Sequence, residues 1–153
     1  MQILISSDHA GFELKNILTD YVAELGHTIT DMGPIEYNES DDYPDLIAPL
    51  ASKISSSAEG TDSLLGIIIG GSGQGEAIVA NRFSDVRAGV LNCHNLELVS
   101  LMRQHNDANI ISIGARFVSS DIAKQAIKLF IETAFSRDTR HERRIKEIDI
   151  ECK

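Results

Sequence analysis

Cysteine is scarce in this chain. Cys93 and Cys152 stand far apart and form no Cys-x-x-Cys spacing, so neither a disulfide framework nor a zinc knuckle is indicated and both are expected as free thiols. No apolar run approaches the roughly 20 residues that a membrane-spanning helix needs. Met1-Gln2-Ile3-Leu4 leads straight into a strand rather than a basic, cleavable leader, so a cytoplasmic protein with no membrane partner is expected. Positive charge is also short. Against 23 Asp and Glu there are 14 Lys and Arg, and the resulting formal charge of −9 argues against nucleic acid or an acidic membrane as a partner. Any anionic ligand must therefore meet a local cluster of cations. No internal repeat, low-complexity segment or composition break divides the 153 residues, and a single domain over 1–153 is expected.

What is present is alternation. Gln2-Ile3-Leu4-Ile5-Ser6 is a short β-like run, after which Phe12, Leu14, Ile17, Leu18, Tyr21, Val22 and Leu25 follow at helical spacing until Gly26. The same order recurs with strands near 28–31, 64–69, 87–91 and 109–113, and helices near 44–57, 77–83, 96–104 and 120–134. Five β/α units predict an α/β fold of three layers, α/β/α, because right-handed crossovers place helices on both faces of a parallel sheet. Such sheets bind ligands beyond the carboxyl ends of their strands. The loops there are Ser7-Asp8-His9-Ala10-Gly11, residues 33–45, the glycine-rich turn after strand three, and Gly114-Ala115-Arg116.

The glycine-rich turn carries most information. It runs Gly66-Ile67-Ile68-Ile69-Gly70-Gly71-Ser72-Gly73-Gln74-Gly75-Glu76, from an apolar strand through a flexible loop to a carboxylate. Glycines can aim their amides at one point, and a helix follows, so the loop is an anion cradle. It is not the dinucleotide fingerprint, since Glu76 stands where the third glycine should fall, and it lacks the Gly-Lys-Ser/Thr ending of a phosphate-binding P-loop. A phosphate loop gains nothing from a further negative charge; a carboxylate beside an anion hole points to proton transfer. The plainer accounts are a turn that permits close strand–helix packing, and a glutamate that complements the helix dipole for about 0.3–1 kcal/mol.

The other motifs also admit plain readings. Asp8-His9 can be a turn and helix cap. Arg103-Gln104-His105-Asn106-Asp107 joins the fourth helix to the fifth strand and can be a C-terminal cap, with His105 favoured near the helix end. Residues 137–146 form a basic island, in which Arg140 and Arg144 share a helical face at i, i+4; it is either a solvated face or the missing cation cluster. His27 and His94 read as surface residues, and no metal triad emerges.

Together, Ser7-Asp8-His9-Ala10-Gly11, Asp42-Tyr43-Pro44-Asp45, Gly70 to Glu76 with Asn81-Arg82, the 103–107 segment, Gly114-Ala115-Arg116 and Arg140-His141-Glu142-Arg143-Arg144 resemble the ribose-5-phosphate isomerase B family over nearly the whole chain. The family also holds galactose-6-phosphate isomerase subunits and allose-6-phosphate isomerases. The resemblance implies a Rossmann/flavodoxin-like five-stranded parallel sheet with a C-terminal helical tail. It further implies a homodimer or dimer of dimers whose tail, about 137–153, packs on the neighbouring subunit, and aldose–ketose isomerisation with no metal and no cofactor. In this family the carbon base is a cysteine just before the loop or a glutamate at its far end. Here the first position is Gly70 and the second is Glu76, so the resemblance is to the glutamate version. By the same likeness His105 assists ring opening, while Ser72 and the amides of Gly71, Gly73 and Gly75 hold the reacting oxygens. Asp8, His9, Asn106 and Tyr43 line the sugar, and Arg116, Arg140 and Arg144, helped by His141, hold the phosphate.

The expected substrate is a phosphorylated sugar, first ribose 5-phosphate, with galactose or allose 6-phosphate as the alternative. Glu76 would move a proton between C2 and C1 through a cis-enediolate held by the loop amides. A non-catalytic sugar-phosphate or nucleotide-binding module on the same fold, or a tail that serves only oligomerisation, are the competing readings.

Overall fold

A computed structural model describes residues 1–57 and 64–151. Five parallel strands, β1 (Gln2–Ser7), β2 (Thr28–Asp31), β3 (Leu64–Gly70), β4 (Ala88–Val90) and β5 (Ile110–Gly114), form one sheet in the order β2-β1-β3-β5-β4. Among the described residues six α-helices accompany them: α1 (Phe12–Glu24), α2 (Tyr43–Ser57), α3 (Gln74–Ala80), α4 (Glu97–Asn106), α5 (Ser120–Glu132) and α6 (Thr139–Glu151). The α/β/α class, the parallel sheet and the C-terminal helix are as expected. The order at one edge differs from the flavodoxin arrangement 2-1-3-4-5, because β5 lies inside and β4 outermost. The residues explain the exchange: all five positions of β5 are buried, whereas Ala88-Gly89-Val90 is half-buried and suits an edge.

Isoleucines and leucines occupy successive positions of β1, β3 and β5 because both faces of the sheet are covered. Ile3, Ile5, Ile67, Ile69, Ile111 and Ile113 face α1, α4 and α5, packing with Leu18, Val99, Ile127 and Phe130. Leu4, Ile68 and Ile110 face the other way, onto Ile47, Leu50 and Ile54 of α2 and Ala80 of α3. Burying this apolar surface, at about 25 cal/mol per Å², is what holds the layers together. Ser119 caps α5, its hydroxyl accepting the Ile122 amide. Among the described residues no helix is long and apolar enough to cross a membrane. Cys93 is a free thiol, and Cys152 lies outside the described residues.

Several boundaries depart from the sequence reading, among them the end of α3, which stops at Ala80 rather than 83. Helix α3 begins at Gln74 rather than 77, despite Gly75, because the chain has already turned at Gly73. Helix α4 continues to Asn106, and α5 stops at Glu132 where Thr133 turns extended. In α1 the apolar periodicity misleads at one place: Ile17 is 41 % exposed while Lys15 is 1 % exposed.

Lys15 is a cation inside the structure and it has an assignment. Its ammonium pairs with Asp31 at the end of β2, donates to the Pro34 carbonyl (3.1 Å) and lies 5.3 Å from the centre of the Phe12 ring. Asp31 also accepts the Gly33 amide (2.9 Å), so the start of the 33–42 segment is clamped to the sheet. We expect Lys15→Ala to lower stability by about 2–3 kcal/mol in urea unfolding. Lys15→Met should cost less, since it keeps the buried stem and the 36 % exposed Asp31 can turn to water.

Candidate active site

Beyond the carboxyl ends of β1 and β3, where the chain's crossovers change direction, lies a cavity of about 380 Å³. Its floor is the glycine-rich loop, fastened to the end of β5. The Ser112 hydroxyl donates to the Gly73 carbonyl (2.6 Å), the Ala115 amide to Gly70 (2.8 Å) and the Arg116 amide to Gly71 (3.2 Å). Gly73 has φ +78°, and a Cβ there would stand 3.0 Å from the Ile113 carbonyl carbon, so the turn needs glycine for both conformation and space.

That turn delivers Glu76 to the first turn of α3 with 4 % exposure. Its carboxyl lies directly over Gly70, where any Cβ would overlap it. Oε2 is buried and has no hydrogen-bond partner among the described residues. Burial raises the Glu76 pKa above the ordinary glutamate value, and the nearby Asp8 charge adds to this, while the backbone amides of Glu76 and Gly73 pull the other way. The result is a carboxyl lining a cavity, poorly solvated and easily protonated.

The remaining wall comes from three loops. Asp8, 6 % exposed, accepts the Gly11 amide (3.0 Å) and caps the 3-10 turn His9–Gly11, so it is a turn cap and a cavity residue at once. His9 is beside it, with Nδ1 2.6 Å from Asp41, and that hydrogen bond raises the histidine pKa against the opposing effect of partial burial. Tyr43, at the start of α2, lays its ring against Gly75. Ser72 is exposed and its Oγ accepts the Gln74 amide (3.3 Å). Arg116 holds its guanidinium over Gly71. The cavity thus gathers Asp8, His9, Tyr43, Gly71, Ser72, Gly75, Glu76 and Arg116, with Gly73 packed beneath.

His105, Asn106, Arg140, His141 and Arg144 do not line it. They form a second cluster at the end of α4 and the start of α6. Asp107 closes α4 in the left-handed conformation, φ +45°, its amide donating to Arg103 (3.1 Å). Arg103 holds this end in place: it donates to the carbonyls of Thr133 (3.2 Å) and Ala108 and to Asp107 (3.2 Å), over the Phe130 ring. Arg87 takes the other Asp107 oxygen (3.0 Å). The capping role of the 103–107 segment is therefore real, and it serves to present His105 and Asn106 from the last helical turn. His141, 5 % exposed, stacks on His105 with ring centres 4.4 Å apart and planes 12° from parallel. Burial lowers its pKa, Arg140 and His105 lower it further, and its Nε2 accepts from Arg140 (3.2 Å). Arg140 and Arg144 are exposed.

Residues 3–148 match the family model described as Ribose/Galactose Isomerase. The chain belongs to that family. It is 37 % identical over 145 residues to ribose-5-phosphate isomerase B of Mycolicibacterium paratuberculosis, covering 95 % of this chain and 87 % of that protein. It is also 33 % identical to D-erythrulose-4-phosphate isomerase of Pectobacterium atrosepticum, covering 88 % and 85 %. Among solved structures, ribose-5-phosphate isomerase B from Mycoplasma genitalium with bound ribulose-5-phosphate superposes with a TM-score of 0.91 at 32 % identity, covering 98 % of this chain and 95 % of that one. As a member of the family this chain is a sugar-phosphate isomerase.

Asp41, Ala10 and Phe117 were not among the residues expected at the site. Ala10 and Phe117 complete the cavity wall, and Asp41 supports His9. The contact between Gly70 and Glu76 generates a test. Gly70→Ala should destabilise by about 1–3 kcal/mol, because it drives the carboxyl from its seat. In the Glu76→Ala background the same change should cost at least about 1 kcal/mol less, measured as a double-mutant cycle in denaturant.

Proposed function

We propose that the chain interconverts ribose 5-phosphate and ribulose 5-phosphate, with Glu76 as the base. The supporting observation is the Glu76 carboxyl itself: buried, unpartnered at Oε2 and lining a cavity beside loop amides. Starting from the aldose, Glu76 takes the proton from C2 of the open chain, and the C2–H electron pair becomes the C1=C2 bond while O1 gains negative charge. Ser72 and the amides of Gly71, Gly73 and Gly75 stabilise that oxyanion, each donor being worth about 2.7–4 kcal/mol in comparable sites. The proton then returns to C1 as the 2-hydroxyl loses its own proton to O1. Hydrogen leaves and returns as a proton, so the step is redox-neutral within the sugar and calls on no cofactor. The solved relative with bound ribulose-5-phosphate favours this pentose. The similarity to a D-erythrulose-4-phosphate isomerase favours a second reading, in which another sugar phosphate, a tetrose or a hexose 6-phosphate, is turned over. A kinetic panel of tetrose, pentose and hexose phosphates separates the two.

Glu76→Gln is expected to lower kcat by about 10²–10⁴ and to abolish exchange of the C2 hydrogen with solvent, read by NMR in deuterated buffer. Since the base works ionised and burial raises its pKa, wild-type kcat should climb with pH through a limb lying above the ordinary glutamate value of 4.5. Near-normal turnover in Glu76→Gln removes Glu76 from the mechanism.

We further propose that this single-domain chain works as a homodimer or a dimer of dimers, in which His105, Asn106, Arg140, His141 and Arg144 of one copy complete the cavity of another. What supports this is their separation from the cavity within one chain, together with Phe117, 69 % exposed at the cavity rim. His105 would open the furanose ring and the arginines would join Arg116 on the phosphate, anchoring the far end of the sugar. Mixing inactive Glu76→Gln and His105→Ala chains should then restore roughly a quarter of wild-type activity, because each mixed dimer of isologous symmetry holds one intact site. No recovery after subunit exchange, verified by mass spectrometry, would place both residues in one chain's site.

A further inference from the structure

We propose that Asp41 is a positioning residue: by accepting the Nδ1 hydrogen of His9, it fixes the imidazole so that Nε2 faces the cavity and bonds a hydroxyl of the substrate. This rests on the isomerase reading for the identity of the substrate, but the pairing itself does not.

The geometry leaves His9 little choice. Asp41 Oδ1 stands 2.6 Å from Nδ1, a close hydrogen bond. Rotating the ring by half a turn would bring a carbon to the carboxylate. Tyr37 closes on the ring edge-on at 6.3 Å, and it is itself braced edge-on against Phe12 at 6.1 Å. With Nδ1 taken, Nε2 is the nitrogen left for a ligand in the cavity that His9 lines.

Asp41 in turn depends on His9. Its side chain is only 10 % exposed, and Oδ2 is buried with no hydrogen-bond partner, so His9 is the hydrogen-bonded answer to its charge among the described residues. A carboxylate so placed favours a protonated partner. The charged groups facing His9 are Asp41 and Asp8, which favour the imidazolium, and Arg116, which opposes it along with partial burial. The segment that carries Asp41 is fastened at both ends. At its start stands the Lys15–Asp31 pair, and near Asp41 a tight turn joins the Asp41 amide to Asn38 O (3.2 Å) and the Ser40 amide to Asn38 Oδ1 (3.1 Å). Two residues later comes Tyr43, so one turn sets both the histidine partner and the ring against Gly75.

The test is imidazole 15N NMR on the unliganded full chain combined with kinetics on ribose 5-phosphate. Wild-type His9 should carry its hydrogen on Nδ1 and titrate above the ordinary value of 6.5, whereas in Asp41→Asn the titration should move down to that value or below. At mildly alkaline pH the KM of Asp41→Asn should rise about tenfold, while kcat falls by less than about threefold. In the His9→Gln background Asp41→Asn should add nothing, which a role in loop stability alone would not produce. Asp41→Ser serves as the second variant should Asp41→Asn fold poorly, with the same results expected. An unmoved His9 titration, or additive effects of the two substitutions, overturns the proposal. If the wild-type chain binds ribose 5-phosphate without turning it over, Kd replaces KM as the readout. Intact coupling there would sink the catalytic reading and uphold this one, and lost coupling with normal turnover would do the reverse.

Discussion

The structure turns on a single close approach. A glutamate is held with its carboxyl against the backbone of Gly70, in space that any side chain at that position would claim. Removing a carboxylate from water is costly, and the usual remedy is a bonded partner for each oxygen. Glu76 does not receive that remedy at Oε2. Its position is instead set by a loop pinned to the sheet: Ser112, Ala115 and Arg116 stitch the turn to β5, and the positive φ of Gly73 leads the chain into α3. Stability of the sheet is thereby converted into an unsatisfied acid at a cavity wall, which is where a group able to exchange protons is wanted.

Charge is arranged with the same economy. In a chain of net charge −9, the Arg116 guanidinium stands at the cavity beside His9, and Arg140 and Arg144 are exposed on α6. Polar residues outside the cavity hold the flanking segments in place. Lys15 ties the 33–42 segment to β2, and Arg103 fixes the end of α4 by satisfying two carbonyls and Asp107 at once. Neither lines the cavity, yet Lys15 fixes the start of the segment that leads to Asp41 and Tyr43, and Arg103 fixes the end of α4 that carries His105 and Asn106.

Much of this could be read in the residues, for identifiable reasons. The cores of β1, β3 and β5 are nearly continuous runs of isoleucine and leucine, and the glycine turn with Glu76 stands out because its chemistry fits no nucleotide loop. Boundaries failed where local chemistry opposed tertiary context. Gly75 disguised the start of α3, and the polar His105-Asn106 pair looked like a loop although Arg103 and Asp107 sustain the helix to its end. Lys15 was invisible as a core residue, since only the fold brings Asp31 and the Pro34 carbonyl within its reach. The His9–Asp41 pair spans 32 residues and has no periodic signature. The division of the expected site residues into two clusters was likewise beyond a linear reading, for spacing along a chain does not say which surfaces converge.

The exchanged strand order carries a consequence for how the protein is made. During synthesis β3 and β4 emerge before β5, yet in the finished sheet they are separated by it. Any pairing of β3 with β4 before residues 110–114 arrive would have to be undone to admit β5 between them. The weakness of β4, three half-buried residues including a glycine, makes the premature partner easy to displace. An edge strand this weak would leave the growing sheet correctable until its last member is in hand.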